Sequence, residues 1–491
     1  MENYDLLVIG GGINGTGIAR DAAGRGLKVL LVEKDDLSAH TSSSSSKLIH
    51  GGLRYLEHYE FRLVAEALAE REVLLRIARH LVWPARFVMP HVAELRPRWM
   101  IRAGLFLYDH LARRASLPGS RSVRLDAPPY NSGLKPALKH GFIYSDCRVD
   151  DARLVIINAM DARTRGAEIL TRTECLAARR VDDAWRATLT GGREVSARAI
   201  VNAAGPWVKR VLNERLRQPS QDGVKLVKGS HVVLPQLYRG DHAFILQNDD
   251  RRVVFMIPYG EHHTLIGTTD VPFEGDPNSV SASDAEAEYL CRAAGRYLAQ
   301  PVDPARIAWR YAGVRPLYDD GTSDPSAITR DYTLRVDDDA GSAPVLSVYG
   351  GKVTTYRRLA EHALRDLAPY FPGLSADWTA EVPLAGGNFA GASREQARDA
   401  FFARYNDLPL ETLRGIFRRH GMLAYDVLGD ARAVADLGQP FGAELYAREV
   451  DYLVAREWAL TAEDVLWRRT KAGLHLAPAQ QEAVARYLGR P

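Results

Sequence analysis

The sequence contains few cysteines and no long apolar run. Only three of its 491 residues are cysteine, and none stands in a C-x-x-C pair, so no zinc or redox motif is predicted. We interpret Cys147, Cys175 and Cys291 as free thiols and expect a cytoplasmic protein. No stretch approaches the ~20 apolar residues that span a bilayer. The first apolar run, Leu6–Ile9, leads straight into glycines and does not resemble an export signal.

An excess of charge of one sign is also lacking. The formal net charge is +3, which is far from the dense basic stripe of nucleic-acid-binding proteins, so we expect no nucleic-acid partner. A locally basic site for a small anion remains compatible with this charge. Around Met100–Leu111, apolar residues follow Arg96 and Arg98. This stretch fits either a helix at a membrane surface or a half-buried helix, and both interpretations stay open.

The pattern Gly10-x-Gly12-x-x-Gly15 follows a short apolar strand and precedes a helical stretch. Gly10 permits a tight turn, Gly12 lets the backbone approach a pyrophosphate, and Gly15 allows the helix and strand to pack closely. Glu33 ends the next strand, about 20 residues further on, where it can accept hydrogen bonds from a ribose hydroxyl. The sequence therefore predicts a Rossmann-type dinucleotide site, for which NAD and FAD fit equally well.

Two later segments favour FAD. Ala199–Gly205 is an apolar strand with a small-residue turn, and it resembles the Ala-Thr-Gly motif of glutathione-reductase-type flavoproteins, with Ala204 in place of threonine. Val348–Lys352 is a late strand and glycine turn before a helix whose N-terminus can stabilise negative charge on a reduced flavin. No second strand–GxGxxG–helix unit follows. We expect one FAD, no NAD(P) and no metal.

The predicted fold class is α/β. A discontinuous Rossmann-like, FAD-binding domain of the glutathione-reductase type is interrupted by a sheet-containing substrate or cap domain, and an all-helical domain follows. The expected boundaries are 1–80, 146–223 and 311–372 for the FAD-binding domain, 81–145 and 224–310 for the cap domain, and 388–491 for the C-terminal domain.

Six segments resemble, in order, the signatures of the FAD-dependent glycerol-3-phosphate dehydrogenases, close to the bacterial aerobic, respiratory enzymes. They are Thr41–Leu56, Lys228–His231, Ile266–Asp270, Gly313–Leu317, Thr329–Tyr332 and Gly350–Tyr356. The resemblance extends to Trp467–Lys471 and covers essentially the whole chain. It also overturns one interpretation, since composition alone would make the hydroxyl run Thr41–Ser46 a flexible linker.

The resemblance implies that this hydroxyl run holds the phosphate and ring of the flavin. The residues expected to contact FAD are Gly10, Gly12, Asn14, Gly15, Glu33, Lys34, Thr41, Ser42, Ser46, Lys47, Leu48, Gly51, Gly52, Ala203, Gly205, Gly350, Gly351, Lys352 and Thr354.

The implied reaction oxidises C2 of sn-glycerol 3-phosphate to the ketone of dihydroxyacetone phosphate, with hydride passing to flavin N5. Such a site needs a cationic clamp, a proton acceptor and stabilisation of the developing alkoxide. The cationic candidates are Arg54, Arg315 and Lys352, and Tyr55 and Thr268 add hydrogen bonds. The candidate bases are His50 and His231. We favour His50 because it adjoins the glycine turn Gly51-Gly52.

The resemblance also implies partners. A membrane quinone is the favoured electron acceptor, because the insertion typical of the related oxygen-using oxidases is not evident. A peripheral contact with the inner face of the cell membrane follows, together with a homodimer and a role in glycerol and glycerophospholipid catabolism. The alternatives are a glycerol-3-phosphate oxidase, a flavin amine or amino-acid oxidase, a flavin-dependent RNA-modifying protein and a non-catalytic FAD-binding scaffold. An amine oxidase would not need the three cationic residues.

Overall fold

The computed structural model describes residues 1–92, 97–112, 116–220, 222–250, 252–319, 331–339 and 341–489. Arg96 of the amphipathic stretch and Thr329-Arg330 of the fifth motif lie outside the described residues.

The strands and helices follow one another in an α/β order. The strands are β1 Glu2–Ile9, β2 Val29–Val32, β3 Leu48–Ile49, β4 Val82–Pro90, β5 Arg121–Arg124, β6 His140–Val149, β7 Glu168–Leu170, β8 Cys175–Val181, β9 Ala184–Leu189, β10 Glu194–Asn202, β11 Gly223–Pro235, β12 Ala243–Gln247, β13 Val253–Tyr259, β14 His263–Gly267, β15 Val271–Pro272, β16 Trp309–Asp319, β17 Thr333–Asp337, β18 Val345–Tyr349, β19 Pro440–Gly442 and β20 Leu445–Tyr446. The α-helices are α1 Ile13–Gly24, α2 Phe61–Ile77, α3 Arg98–His110, α4 Asp151–Thr164, α5 Val208–Arg210, α6 Asp284–Gly295, α7 Tyr356–Leu367, α8 Arg394–Arg404, α9 Leu410–His420, α10 Ala424–Leu428, α11 Ala447–Glu457 and α12 Pro478–Tyr487. Two π-helical segments, Val211–Arg215 and Asp464–Arg469, complete the longer elements.

The first sheet is mainly parallel and carries the nucleotide fold. Its order is β17-β18-β10-β1-β2-β7. Strand β9 also pairs with the first half of β10, and β8 pairs with β9. Strands β1, β2, β7, β10 and β18 run parallel, while β17 and β9 are antiparallel to their neighbours. All four residues of β2 are buried, as expected for a parallel strand that is covered on both faces.

The second sheet has ten strands, and its strands β11 and β16 face the carboxyl ends of the parallel strands of the first sheet. Its order is β15-β11-β14-β13-β12-β4-β6-β3, with β16 beside β11 and β5 beside β6. It therefore combines strands from both segments predicted for the cap domain. The predicted boundaries at 146 and 311 fall inside β6 and β16, and both strands belong to this sheet over their whole length. We propose to divide the domains by sheet membership, so that the cap-domain segments end with β6 at 149 and with β16 at 319.

The C-terminal region packs directly on the nucleotide fold. One continuous hydrophobic core includes Leu6 of β1, Ile156 of α4 and Leu359 of α7, and it extends to Phe417 and Val450 of the C-terminal helices. This region is helical as predicted, except for the short antiparallel pair β19–β20. Among the described residues, no helix has both the length and the apolar character needed to cross a membrane.

Candidate active site

A cavity of about 600 Å³ opens where the parallel strands end. The carboxyl ends of β1, β2, β7, β10 and β18 meet there, which is the usual ligand-binding edge of such a sheet. Strands β11 and β16 of the second sheet close the opposite side. Twenty of the residues predicted from the sequence line it, namely Gly10, Gly12, Asn14, Glu33, Lys34, Thr41, Ser42, Ser46, Leu48, His50, Tyr55, Ala203, Gly205, His231, Thr268, Arg315, Gly350, Gly351, Lys352 and Thr354.

The turn between β1 and α1 leaves no room for side chains. Gly10 has a φ of +116°, and a Cβ there would lie 2.5 Å from the carbonyl oxygen of Ala203. A Cβ on Gly15 would lie 1.9 Å from the carbonyl oxygen of Gly10. Gly12 exposes backbone to the cavity beside Ser42 Oγ, 3.1 Å from its ideal Cβ position. The N-terminus of α1 thus presents free N–H groups to a pyrophosphate.

Glu33 is fixed at the end of β2. Its carboxylate accepts hydrogen bonds from the backbone N–H of Gly11 at 2.7 Å and of Asp35 at 2.8 Å. Burial raises the pKa of Glu33, and these two hydrogen bonds oppose that effect. Each carboxylate oxygen retains a second lone pair, so the group can still accept from a ribose hydroxyl.

The sequence interpretation missed much of the cavity wall around this end. Lys34 Nζ lies 4.5 Å from the ring centre of Trp207 and donates to Asn278 at 2.9 Å, while His40 packs edge-on against Trp207 at 4.6 Å. Trp207 ends the short 3-10 turn Gly205–Trp207, directly after the motif Ala199–Gly205, whereas Asn278 lies in the turn Pro277–Ser279, which carries no motif. Thr173, by contrast, follows β7, so a prediction that β7 joins the parallel sheet would have found it.

The hydroxyl run Thr41–Ser46 forms part of the cavity wall and makes defined contacts. Ser42 Oγ accepts a hydrogen bond from the N–H of Ile13 at 3.0 Å, and Thr41 Oγ1 donates to the Val314 carbonyl at 2.7 Å. Ser46 Oγ lies 2.9 Å from His231 Nε2. The run therefore connects the first turn of α1 to the second sheet.

Five predicted residues do not line the cavity. Lys47 Nζ pairs with Asp151 at 2.9 Å, and the N–H of Gly51 donates to Tyr108 Oη at 2.9 Å. The other three are Gly15, Gly52 and Arg54. Their contact with the cofactor stays a prediction.

Asn14 is in direct contact with the turn after β18, and both line the cavity. Gly351 has a φ of +99°, and a Cβ there would lie 2.8 Å from Asn14 Nδ2. Asn14 Nδ2 donates to the Gly350 carbonyl at 3.1 Å, whereas its Oδ1 is buried with no hydrogen-bond partner among the residues that the structure describes. An acceptor in this position is available to a donor from a ligand or from water.

Cationic side chains gather at the end of the cavity beside the second sheet. Arg315 Nη2 lies 2.5 Å from Asp270 Oδ1, and Arg54 Nη1 lies 3.7 Å from Asp270 Oδ2. Lys352 Nζ lies 4.0 Å from the ring centre of Tyr55. Thr268 Oγ1 is next to this group, 2.6 Å from the Cβ position of Gly229. The three predicted cations therefore converge, although they come from positions almost 300 residues apart in the sequence.

Beside these cations, His231 is buried and His50 is half-buried. Burial, with a smaller contribution from Lys352, lowers the pKa of His50 to about 4. Burial also lowers the pKa of His231, with Lys47 and Arg315 acting in the same direction. His231 stacks on Tyr311 at 4.8 Å, and its Nδ1 has no hydrogen-bond partner in the described part of the chain. Both imidazoles are therefore neutral near pH 7 and able to accept a proton.

The donors and close backbone approaches fit a flavin dinucleotide. The glycine turn and helix α1 suit the pyrophosphate, Glu33 suits a ribose, and the Gly350-Gly351 turn before α7 suits the isoalloxazine. Residues 5–357 match the family model for FAD dependent oxidoreductases, and residues 378–489 match the model for the C-terminal domain of alpha-glycerophosphate oxidase.

Relatives match over nearly the whole chain. The glycerol-3-phosphate dehydrogenase of Pseudomonas aeruginosa is 54% identical, with 99% of this chain and 95% of the relative covered. This chain belongs to the FAD-dependent glycerol-3-phosphate dehydrogenase family. The D-erythritol 1-phosphate dehydrogenase of Brucella abortus is 50% identical, with coverages of 98% and 97%.

A solved structure supports the same conclusion. The glycerol-3-phosphate dehydrogenase from Bacillus halodurans, complexed with FAD, is 27% identical and superposes with a TM-score of 0.76 over 99% of this chain and 90% of its own. The predicted fold, FAD cofactor and oxidoreductase class of this family member are confirmed.

Proposed function

We propose that this protein oxidises sn-glycerol 3-phosphate at C2 to dihydroxyacetone phosphate and delivers the electrons to a membrane quinone. The observation that carries this proposal is the convergence of Arg54, Arg315 and Lys352 beside two neutral histidines. An amine or amino-acid substrate has no phosphate and gives no reason for three cations at one end of the cavity. The names of the P. aeruginosa and B. halodurans relatives favour the same substrate.

The cations divide into two groups by position. Arg54 and Arg315 share Asp270, and their guanidinium groups suit a phosphate because each can donate to two oxygens. Lys352 is close enough to His50 to affect its pKa, so its charge acts near the proton acceptor. We assign phosphate binding to the two arginines and stabilisation of the developing C2 alkoxide to Lys352.

His50 is the proposed general base for the C2 hydroxyl. It is neutral near pH 7 and it lines the cavity. The backbone N–H of His50 donates to Thr354 Oγ1 at 3.2 Å, which ties this residue to the turn preceding α7. FAD, when bound, supplies the two-electron acceptor for the hydride from C2.

Anaerobic mixing with sn-glycerol 3-phosphate tests the reductive half-reaction. Flavin absorbance should bleach rapidly with this substrate and should not bleach with glycerol, because glycerol offers nothing to the arginines. A flavin that stays oxidised with glycerol 3-phosphate, but bleaches with an amino acid, would reject the assignment.

A four-carbon polyol phosphate is a second candidate substrate. The 50% identity to a D-erythritol 1-phosphate dehydrogenase supports it, because that relative covers nearly the same residues as the P. aeruginosa enzyme. Both substrates present a phosphate and a secondary alcohol. The ratio of kcat/KM for glycerol 3-phosphate to that for D-erythritol 1-phosphate decides between them, and a ratio below one would favour the longer substrate.

We propose quinone as the acceptor and helix α3 as part of the membrane contact. Trp99 is 70% exposed and Phe106 57% exposed, while Ile101 and Leu105 of the same helix are buried. The helix is therefore anchored in the protein on one side and presents aromatic residues with Arg98 on the other, as peripheral membrane helices do. The expected location is the inner face of the cell membrane.

Two measurements test the acceptor and the membrane contact. Turnover with a soluble quinone should exceed hydrogen peroxide formation in air, and an oxidase would give the reverse. Binding to anionic vesicles should weaken in Trp99→Ser, and the protein would not bind through α3 if affinity were unchanged. The predicted homodimer stays a proposal, which light scattering in detergent tests.

A further inference from the structure

One wall of the cofactor cavity has open space on both sides. Residues Asp35, Ala39, His40, Thr41 and Ser44 line the cofactor cavity, and they also line a second, polar crevice of about 510 Å³. Residues of the C-terminal region, Thr461–Asp464 and Arg468, form the far side of that crevice. Because close packing is missing behind part of this wall, the contacts at its two ends contribute to holding its position.

The first end is held by two arginines of the C-terminal region. Asp36 is buried, and its carboxylate accepts from Arg468 Nε at 2.6 Å and from Arg469 Nη2 at 2.9 Å. Arg469 also donates to the carbonyl of Glu457, at the end of α11. Asp36 is three residues beyond Glu33, so this contact is adjacent to the ribose-binding end of the site.

The second end is held through the start of α4. Asp151 accepts from Lys47 Nζ at 2.9 Å and from Ser45 Oγ at 2.7 Å. Its neighbour Asp150 pairs with Lys471 Nζ at 3.2 Å, and the Lys471 side chain is 14% exposed. The same C-terminal segment therefore reaches both ends of the wall.

That segment is itself firmly fixed. Asp464 accepts from the backbone N–H groups of Leu460 at 2.8 Å and Thr461 at 2.9 Å, and it pairs with Arg172 at 2.7 Å. Arg172 in turn donates its backbone N–H to the carbonyl of Asp35 at 2.8 Å. A buried charge that loses its partner is strongly unfavourable, so loss of one tether should displace the wall.

We propose that the segment Asp464–Lys471 positions the wall 35–47 and thereby sets how tightly FAD is held. Arg468, Arg469 and Lys471 act as positioning residues, since none of them lines the cofactor cavity. The C-terminal domain would then be a part of the cofactor site. This inference concerns FAD retention and does not depend on which substrate is oxidised.

The rate of FAD release from the full-length holoenzyme tests the proposal. Flavin fluorescence after dilution should rise about tenfold faster in Arg468→Met and in Lys471→Met than in the wild type. Lys471→Arg keeps the charge and should retain FAD. Arg414→Met is the matched control in the same domain. Within the described part of the chain Arg414 pairs with the exposed Glu411, and a surface ion pair of this kind contributes little to stability.

Hydrogen exchange separates a displaced wall from a misfolded domain. With FAD in excess, exchange in Lys471→Met should increase in residues 35–47 and stay unchanged in α8–α11. Asp36→Asn combined with Arg468→Met should release FAD no faster than Asp36→Asn alone, because Asp36→Asn already removes the contact that Arg468→Met would remove. Unchanged FAD release in both Arg468→Met and Lys471→Met, or increased exchange throughout α8–α11, would overturn the proposal.

Discussion

The carboxylate of Asp270 lies between two guanidinium groups, 2.5 Å from Arg315 and 3.7 Å from Arg54. All three side chains are partly exposed to solvent, from 20% to 33%. In the proposed site, a substrate phosphate would approach the same two arginines. Asp270 thus opposes phosphate binding by its charge and favours it by orienting the arginines.

Of these two effects of Asp270, we expect the repulsion of the phosphate to be larger than the benefit of orienting the arginines. A partly exposed ion pair orients its partners with about 1 kcal/mol at most. Two like charges about 4 Å apart repel by about 4 kcal/mol at an effective dielectric constant of about 20, and by about 2 kcal/mol at twice that distance. We therefore expect Asp270→Asn to lower the inhibition constant of inorganic phosphate about tenfold, measured against flavin reduction. Weaker inhibition would show that orientation is the larger effect, and exposed Asp249→Asn serves as the control.

His50 should be the residue on which flavin reduction depends most strongly. We expect His50→Asn to slow anaerobic flavin reduction at least ~100-fold, which is a typical contribution of a general base. His231→Asn is the matched comparison, because His231 lines the same cavity but is engaged with Ser46. Stopped-flow traces that show normal reduction in His50→Asn would remove His50 from the role of general base. A larger loss in His231→Asn would assign that role to His231.

The stability of the deflavinated protein should decrease as the pH is lowered from 6.5 to 4, because of His50. A histidine in the unfolded chain titrates near 6.5, whereas the pKa of folded His50 is about 4. Between these values the unfolded chain binds a proton that the folded protein does not, so stability is complete above pH 6.5 and decreases toward pH 4, by about 3 kcal/mol. Thermal unfolding midpoints should therefore fall less steeply in His50→Asn. Exposed His58→Asn should follow the wild type, and parallel curves for all three proteins would contradict the prediction.

Gly15 and Gly104 both lie within helices but should respond oppositely to alanine. The Cβ of an alanine at 15 would lie 1.9 Å from the backbone oxygen of Gly10, and neither group can move without opening the nucleotide turn. At Gly104 nothing lies within 4 Å of the added Cβ. We expect Gly15→Ala to abolish FAD binding and Gly104→Ala to stabilise the protein by up to about 1 kcal/mol. FAD titration and thermal unfolding measure both, and FAD binding by Gly15→Ala would refute the packing argument.

The parts of the site that could be predicted from sequence are those in which neighbouring residues act together. Gly10, Gly12 and Gly15 form one turn, and Glu33 ends the next strand, so spacing alone identifies them. The run Thr41–Ser46 was different, because its composition suggested a linker and only the resemblance of Thr41–Leu56 to a family signature overturned that interpretation. Its hydrogen bonds to Ile13 and Val314 could not be seen from composition.

The features that sequence reasoning missed depend on long-range contacts. Trp207 and Asn278 meet Lys34 from separate loops, and Asp36 meets Arg468 across 432 residues. The predicted domain boundaries at 146 and 311 fell within β6 and β16, because alternation of apolar residues identifies a strand without saying which sheet it joins. Sheet membership is decided by partners elsewhere in the chain.

The order of the first sheet has a consequence for how the protein is made. β1 pairs with β10 and β10 with β18, so the cavity edge needs strands that leave the ribosome about 190 and 340 residues after β1. The N-terminal glycine turn, although synthesised first, has no second wall until that time. Loading of the cofactor is consequently a late event in biogenesis, and a nascent chain released early would leave Gly10–Gly15 as an exposed loop that quality-control proteases can recognise.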